Sequence, residues 1–398
     1  MFFSVNIPEE KKIETLDILG LMQDSRHSKY LGLPSIIGKS KIEVFTEIKE
    51  RVGRKLSGWK EKIHSIGGRE ILIKAVTQAI PTYTMSCFQL PKGLCDEIES
   101  MMRKFWWGQR SQESKVAWVS WRKLCKSKLK GGMSFRNLQA FNLAMPAKQG
   151  WRLLENPNSL VARMYRAKYY PHGDVLKAGL GSSPSFTWRS IMQGLEVVKK
   201  GTCWRVGNGK LIHIWEDKWL LNPTTYKVIS PPQNFDNFPV VSTLIVFDSR
   251  RWKVDLVKSL FLPFEARAIL NIPISYNLSN DKIIWVGNNR GVFTVKIAYY
   301  VALSLMESLE VGECSYNDPR ELLWRKLWHL RIPSKIKIFA WRACVDALPT
   351  MVNLQKRGIG VSDLCPYGLE SETLFHLIIK CEVARRVWDN WEGISVEN

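Results

Sequence analysis

Acidic charge, long apolar runs and a cysteine framework are what this chain has little of. Its 37 aspartates and glutamates stand against 58 lysines and arginines, a formal net charge of +21 at pH 7 over 398 residues. No stretch approaches eighteen consecutive apolar residues, so the sequence offers no membrane span. Met1-Phe2-Phe3-Ser4 is too short an apolar run, and lacks the basic lead, for a secretory leader. The eight cysteines, at 87, 95, 125, 203, 314, 344, 365 and 381, are too scattered for a disulfide-stapled scaffold. A reduced intracellular setting is the expectation, with thiols free or metal-bound.

What is present is globular. Hydrophobic residues make up 45% of the chain, enough for the cores of two or three domains. The basic charge is concentrated: residues 101–200 hold nineteen Lys/Arg against four Asp/Glu, whereas the last 48 residues hold five against seven. A field of that size attracts polyanions through counterion release. Seventeen tryptophans accompany it, and aromatic faces beside cations suit stacking on single strands, although most of them, taken singly, fit a core better than a base platform. RNA or DNA is therefore the expected partner, the alternative being a merely solvated surface. The expected contacts are Arg103, Lys104, Arg110, Lys115, Arg122, Lys123, Lys126, Lys128, Lys130 and Arg136, with Trp118 and Trp121 between them.

Apolar spacings of three and four predict helices over 8–24, 41–59, 69–80 and 91–107, with Gly67-Gly68 as a break and Gly108 as a stop. Further helices are expected over 137–154, interrupted near Pro146, and over 159–169, 296–306, 322–330, 334–348 and 382–391. Lys29–Pro34 reads as a short strand or turn, and 313–319 as a loose polar stretch. Two segments, Trp204–Trp215 around Gly207-Asn208-Gly209 and Trp285–Val295 around Gly287-Asn288-Asn289, read as small β-hairpins, because Asn and Gly tolerate the positive φ of tight turns. The fold class is α+β and mostly α-helical. The division expected is 1–110, helical; 111–222, basic and Trp-rich with a hairpin; 223–281, linker-like; and 282–398, a terminal module.

That last module carries the sharpest motif. Cys365, His376 and Cys381 have metal-ligand spacing, and Gly368 stands where a fourth ligand belongs. Structural zinc takes four Cys or His donors in a tetrahedron. Water or another thiol would have to complete the shell here, Cys344 being a donor if the fold brings it near. The alternative is two small buried cysteines and a histidine packed on a helix.

Other features are weaker. Glu216 and Asp217 are adjacent, so on a strand they would face opposite ways and serve a turn rather than acid–base chemistry. His64, His172 and His213 lack triad partners, and Gly179-x-Gly181 and Gly207-x-Gly209 lack a third glycine. No small-molecule substrate is expected.

Several strings resemble the C-terminal half of plant LINE-type non-LTR retrotransposon polyproteins. They are Lys29–Pro34, Gly58–Lys60, Ile71–Pro81, Phe105–Gly108, Ala147–Leu154, Trp204–Gly209 and Ile214–Leu220. From about Gly291 to Trp388 the chain looks like the reverse-transcriptase zinc-binding domain of those elements, through Ile332–Lys337, Phe339–Arg342, Leu348–Thr350, Cys365-Pro366 and Glu372–Leu377. The resemblance implies a palm ending near Tyr30-Leu31-Gly32, reached from Phe2-Phe3-Ser4, and thumb-like helices over 41–108. It also implies a polymerase centre of paired aspartates upstream and a ribonuclease H domain downstream. This sequence has no Asp-Asp pair. The expectation is a truncated retroelement-derived protein without its own polymerase or nuclease centre; the alternatives are part of an active polyprotein and a decayed product with no role. Nuclear residence would suit an integrating element, although no compact basic import signal is visible.

Overall fold

The computed structural model describes all residues except 1–6, 19, 21–28, 35–36, 39, 61–64, 109–114, 221–224, 233–238, 276, 289, 310–319 and 391–398. The Phe2–Ser4 string, Leu19, Leu21, His64, Arg110, the 313–319 stretch with Cys314, and Trp391 thus lie outside the described residues.

In chain order the helices are α1 (Glu9–Ile18), α2 (Lys41–Lys60), α3 (Ile66–Leu72), α4 (Thr82–Met85), α5 (Lys92–Trp106), α6 (Trp121–Cys125), α7 (Leu138–Glu155) and α8 (Leu160–Tyr169). They continue as α9 (Phe186–Gly201), α10 (Val254–Leu260), α11 (Pro263–Leu270), α12 (Val295–Leu309), α13 (Glu321–His329), α14 (Ser334–Cys344), α15 (Met351–Lys356) and α16 (Glu382–Asp389). The strands are short: β1 (Lys29–Tyr30), β2 (Leu33–Pro34), β3 (Thr202–Arg205), β4 (Ile245–Val246), β5 (Arg251–Trp252) and β6 (Lys282–Trp285). The chain is mostly α-helical, with three two-stranded antiparallel sheets, β1-β2, β3-β6 and β4-β5, among the described residues.

Local chemistry sets most helix ends. Pro91 precedes α5, whose chain leaves through Gly108 at φ +68°, a conformation that costs glycine little. Side chains of Ser120, Asn137, Ser159 and Ser185 cap α6, α7, α8 and α9 by accepting an amide three residues on. Gly67 and Gly68 do not break the chain; they form the first turn of α3, where the Ser65 hydroxyl accepts the Gly68 amide. Helix α14 stops at Cys344, short of the expected Leu348.

Helix α7 also runs unbroken through Pro146. Proline there removes the amide that would bond the carbonyl of Asn142, but packing holds the helix. Its small face of Ala140, Ala144, Ala147 and Gly150 meets α9 so closely that a Cβ on Gly194 would fall 2.4 Å from the Ala147 nitrogen. The Asn142 side chain bonds both the amide and the carbonyl of Leu90, fixing α7 to the segment before α5.

Three hydrophobic cores result among the described residues. The first gathers α2, α5 and the start of α7 with Trp121, Phe135, Trp324 and Trp341. The second lies between α7, α8, α9, α12 and β6. The third, around Ile214, Trp219, Val241, Trp252 and Ile269, is built largely from 223–281 and the residues just before it. The expected linker is therefore a packed unit, because its irregular apolar runs bury together although none has a clean period.

The two expected hairpins are corrected in the same way. Trp204 and Trp285 begin segments whose strands pair with each other rather than folding back singly: Cys203 stands opposite Ile284, and Trp204 opposite Ile283. The Gly207–Leu211 loop instead wraps the buried carboxylate of Asp281, which accepts the amides of Gly207, Gly209 and Leu211 at 2.7, 2.8 and 2.9 Å. A charged acceptor holding three amides outcompetes a two-residue turn. In the second segment the Trp285 amide reaches the Gly291 carbonyl at 3.0 Å, and α12 begins at Val295.

Candidate metal centre and nucleic-acid interface

Residues 364–371 form a knuckle. Leu364 and Ser371 make an isolated antiparallel bridge, the Cys365 amide donates to the Glu370 carbonyl at 2.9 Å, and the Gly368 amide donates to the Cys365 carbonyl at 3.2 Å. The Tyr367 amide points at the Cys365 sulfur, 3.5 Å away. The Thr373 hydroxyl accepts the His376 amide and starts a helical turn that continues as a π-turn over His376–Lys380. This turn ends at Cys381, the residue that precedes α16, with the Cys381 amide on the His376 carbonyl at 2.7 Å.

Seventeen residues of chain, 365–381, thus fold so that Cys365, His376 and Cys381 converge. All three are buried, and their ligand atoms lie within 4.8 Å of one another. The two sulfurs are 3.8 Å apart. A tetrahedral zinc with Zn–S bonds of about 2.3 Å requires sulfurs about 3.8 Å apart, so the spacing fits. The Nδ1 of His376 meets a Glu370 carboxylate oxygen at 3.1 Å, while its Nε2 is buried without a hydrogen-bond partner among the described residues. That pairing places the proton on Nδ1 and leaves the Nε2 lone pair for a metal. The Tyr367 amide favours a Cys365 thiolate, but burial and the adjacent Cys381 sulfur outweigh it and raise the thiol's pKa. Two thiols so close share their site better with a cation than with two protons.

Gly368 has open space around it: a Cβ there would meet nothing within 4 Å. Cys344, the conditional fourth donor, is not part of the cluster and packs against the first core.

The expected nucleic-acid residues divide into exposed ones and ones half-buried or buried within the fold. Arg103 and Lys104 are exposed on the last turn of α5, and Lys115, Arg122, Lys123, Lys126 and Lys130 are exposed on the segment that follows. Lys128 is half-buried: its ammonium pairs with Glu70 at 2.7 Å and lies 4.1 Å from the centre of the Trp328 ring. Arg136 is half-buried over Phe141 and donates to the Gln78 carbonyl. Trp121 is buried, stacked on Phe135 with ring centres 5.1 Å apart and planes 7° apart, so neither it nor its partner offers a face for a base. Trp118 is half-buried against the first core, and its carbonyl accepts from Arg357. Among the described tryptophans ten are buried and none is exposed, which makes them core residues and leaves the basic face largely to charge.

Glu216 and Asp217 occupy a turn, as adjacency suggested: the Asp217 carboxylate accepts the His213 amide at 2.8 Å. Asp281 is the functional-looking carboxylate that sequence reasoning missed. Its signal would have been a lone acid just before an apolar strand, which nothing local distinguishes.

Residues 281–388 match the family model described as zinc-binding in reverse transcriptase, which contains the whole knuckle. A protein of Arabidopsis thaliana described only as an uncharacterized mitochondrial protein is 41% identical over 157 residues, 39% of this chain and 99% of that relative. The chain belongs with the reverse-transcriptase-related proteins of plant retrotransposons. A second Arabidopsis thaliana protein, named as a ribonuclease H protein, is 30% identical over 356 residues, 87% of this chain. The chain spans about half (55%) of that relative's length. Within this retroelement family the three-donor centre sits in the zinc-binding module, and the basic face lies outside the stretch that the family model matches.

Proposed function

We propose that this retroelement-derived protein binds RNA or DNA by its phosphate backbone, through the surface that carries Arg103, Lys104, Lys115, Arg122, Lys123, Lys126 and Lys130. It has no polymerase or nuclease centre of its own. Cys365, His376 and Cys381 hold zinc, which organises the terminal module and adds to the grip. The observation that carries the reading is the charge surplus of residues 101–200, five of whose nineteen Lys/Arg are exposed on the stretch 115–130 after α5. Zinc supplies folding energy there by fixing a knuckle, a π-turn and a helix to one point.

The test is binding of labelled single strands and duplexes across a salt series. Affinity for single strands should fall with log salt at a slope of about −0.7 per phosphate contacted. No binding at low salt would overturn the reading. Purified protein should also carry one zinc per chain, and magnesium with a primed template should give no extension. The reading places the protein inside the cell and in the nucleus, which imaging of the tagged chain tests.

A second reading, part of an active polyprotein, is favoured by the length of the relative named for ribonuclease H. Sequencing the flanking reading frame decides between the two.

A further inference from the structure

We infer that the Cys365–His376–Cys381 centre leaves the fourth vertex of its zinc open toward Gly368, where a single soft or borderline donor from solution, a small thiol or an imidazole, coordinates. The inference rests on the zinc reading above and adds what that reading leaves undefined, namely who completes the shell.

The residues around the centre are already committed. Among the described residues the cluster contains three ligating side chains and no fourth. The Glu370 carboxylate is engaged by the His376 Nδ1 at 3.1 Å, and the buried Glu372 accepts the Met351 amide at 3.3 Å. Cys344 belongs to another core. The knuckle residue three positions after Cys365 has no side chain, and the space its Cβ would enter is empty to 4 Å.

That space faces water, because Pro366 through Ser371 are all exposed. A closed structural site has four protein donors, whereas one with three keeps an exchangeable position. Zinc accepts nitrogen and sulfur donors there, so imidazoles and thiols are the ligands of matching softness. Gly368 is thus the residue that decides whether the centre is sealed or open.

Cobalt(II) in place of zinc makes the shell visible, and the full chain is used throughout. The parent protein should bind one cobalt, and its visible absorption should change saturably with imidazole, and separately with a small monodentate thiol, while the metal stays bound. Gly368→Ala should behave as the parent, since a methyl group fits the empty space and brings no donor. Gly368→Cys should hold cobalt about tenfold or more tightly and lose the response to both ligands.

A cobalt-loaded parent that responds to neither ligand, or a Gly368→Cys protein that responds as the parent does, overturns the inference while leaving the zinc reading intact. Failure of the parent to take up cobalt or zinc removes both.

Discussion

The indole nitrogen of Trp341 donates a hydrogen bond to the carbonyl oxygen of Gly131 at 3.0 Å, tying the zinc-binding module to the basic loop. Gly131 holds φ at +71°, and a Cβ there would stand 3.1 Å from the Trp324 ring. Two tryptophans of α13 and α14 therefore seat on one glycine between Lys130 and Gly132. Trp341→Phe keeps most of the apolar contact but orphans a buried carbonyl, so it should cost about 1–3 kcal/mol in urea unfolding. Gly131→Ala should also destabilise, through its φ and its contact with Trp324. Stability unchanged in both would mean that the module does not anchor there.

Charge on and beside the basic loop separates into half-buried and exposed groups. Lys130→Ala, with Arg103→Ala and Lys104→Ala, should weaken binding to all sequences alike and lower the salt slope by about 0.7 per lost contact on single strands. Lys128→Ala should act chiefly on stability, because its ammonium pairs with Glu70 beneath Trp328. A salt slope that responds to Lys128 alone would reverse this assignment.

Burial pushes the Glu99 carboxyl up to about 7 from 4.5, even though its carboxylate accepts the Leu138 amide at 2.6 Å. The folded protein then holds this proton more tightly than the unfolded chain does. The protonated acid's contribution is fully present below about pH 4.5 and is lost as pH rises to about 7, on the order of 3 kcal/mol in all. Glu99→Gln should flatten that part of the stability profile, measured by urea unfolding from pH 4.5 to 8. An unchanged profile would show that the group does not titrate in this range.

Asp281 closes the β3-β6 sheet by holding three amides of the Gly207–Leu211 loop. Asp281→Ala leaves these amides without an acceptor and should cost about 3 kcal/mol or more, with Asp281→Asn intermediate. Hydrogen exchange should speed up first at Gly207, Gly209 and Leu211. Exchange unaltered at those positions would mean that another acceptor replaces the carboxylate.

Much of the helical frame was legible because its signals are local. Pro91, Asn137 and Ser159 mark helix starts, and Gly108 marks an end, by chemistry confined to a single turn. The continuation of α7 through Pro146 was not legible, since the contact with Gly194 that holds it comes from another helix. Trp121 was misplaced for a similar reason: it looks the same in sequence whether it lies on Phe135 or on a base.

The sequence alone determined the three candidate metal-donor positions, the glycine among them and the excess of positive charge on 101–200. These are matters of residue type and short spacing, which a knuckle and a helical turn convert directly into geometry. Only the tertiary structure decided that Cys203 pairs with Ile284, that Glu70 takes up Lys128, and that the tryptophans build cores. Each of those outcomes joins groups far apart in the chain, where burial and hydrogen-bond competition, not local preference, select the partner.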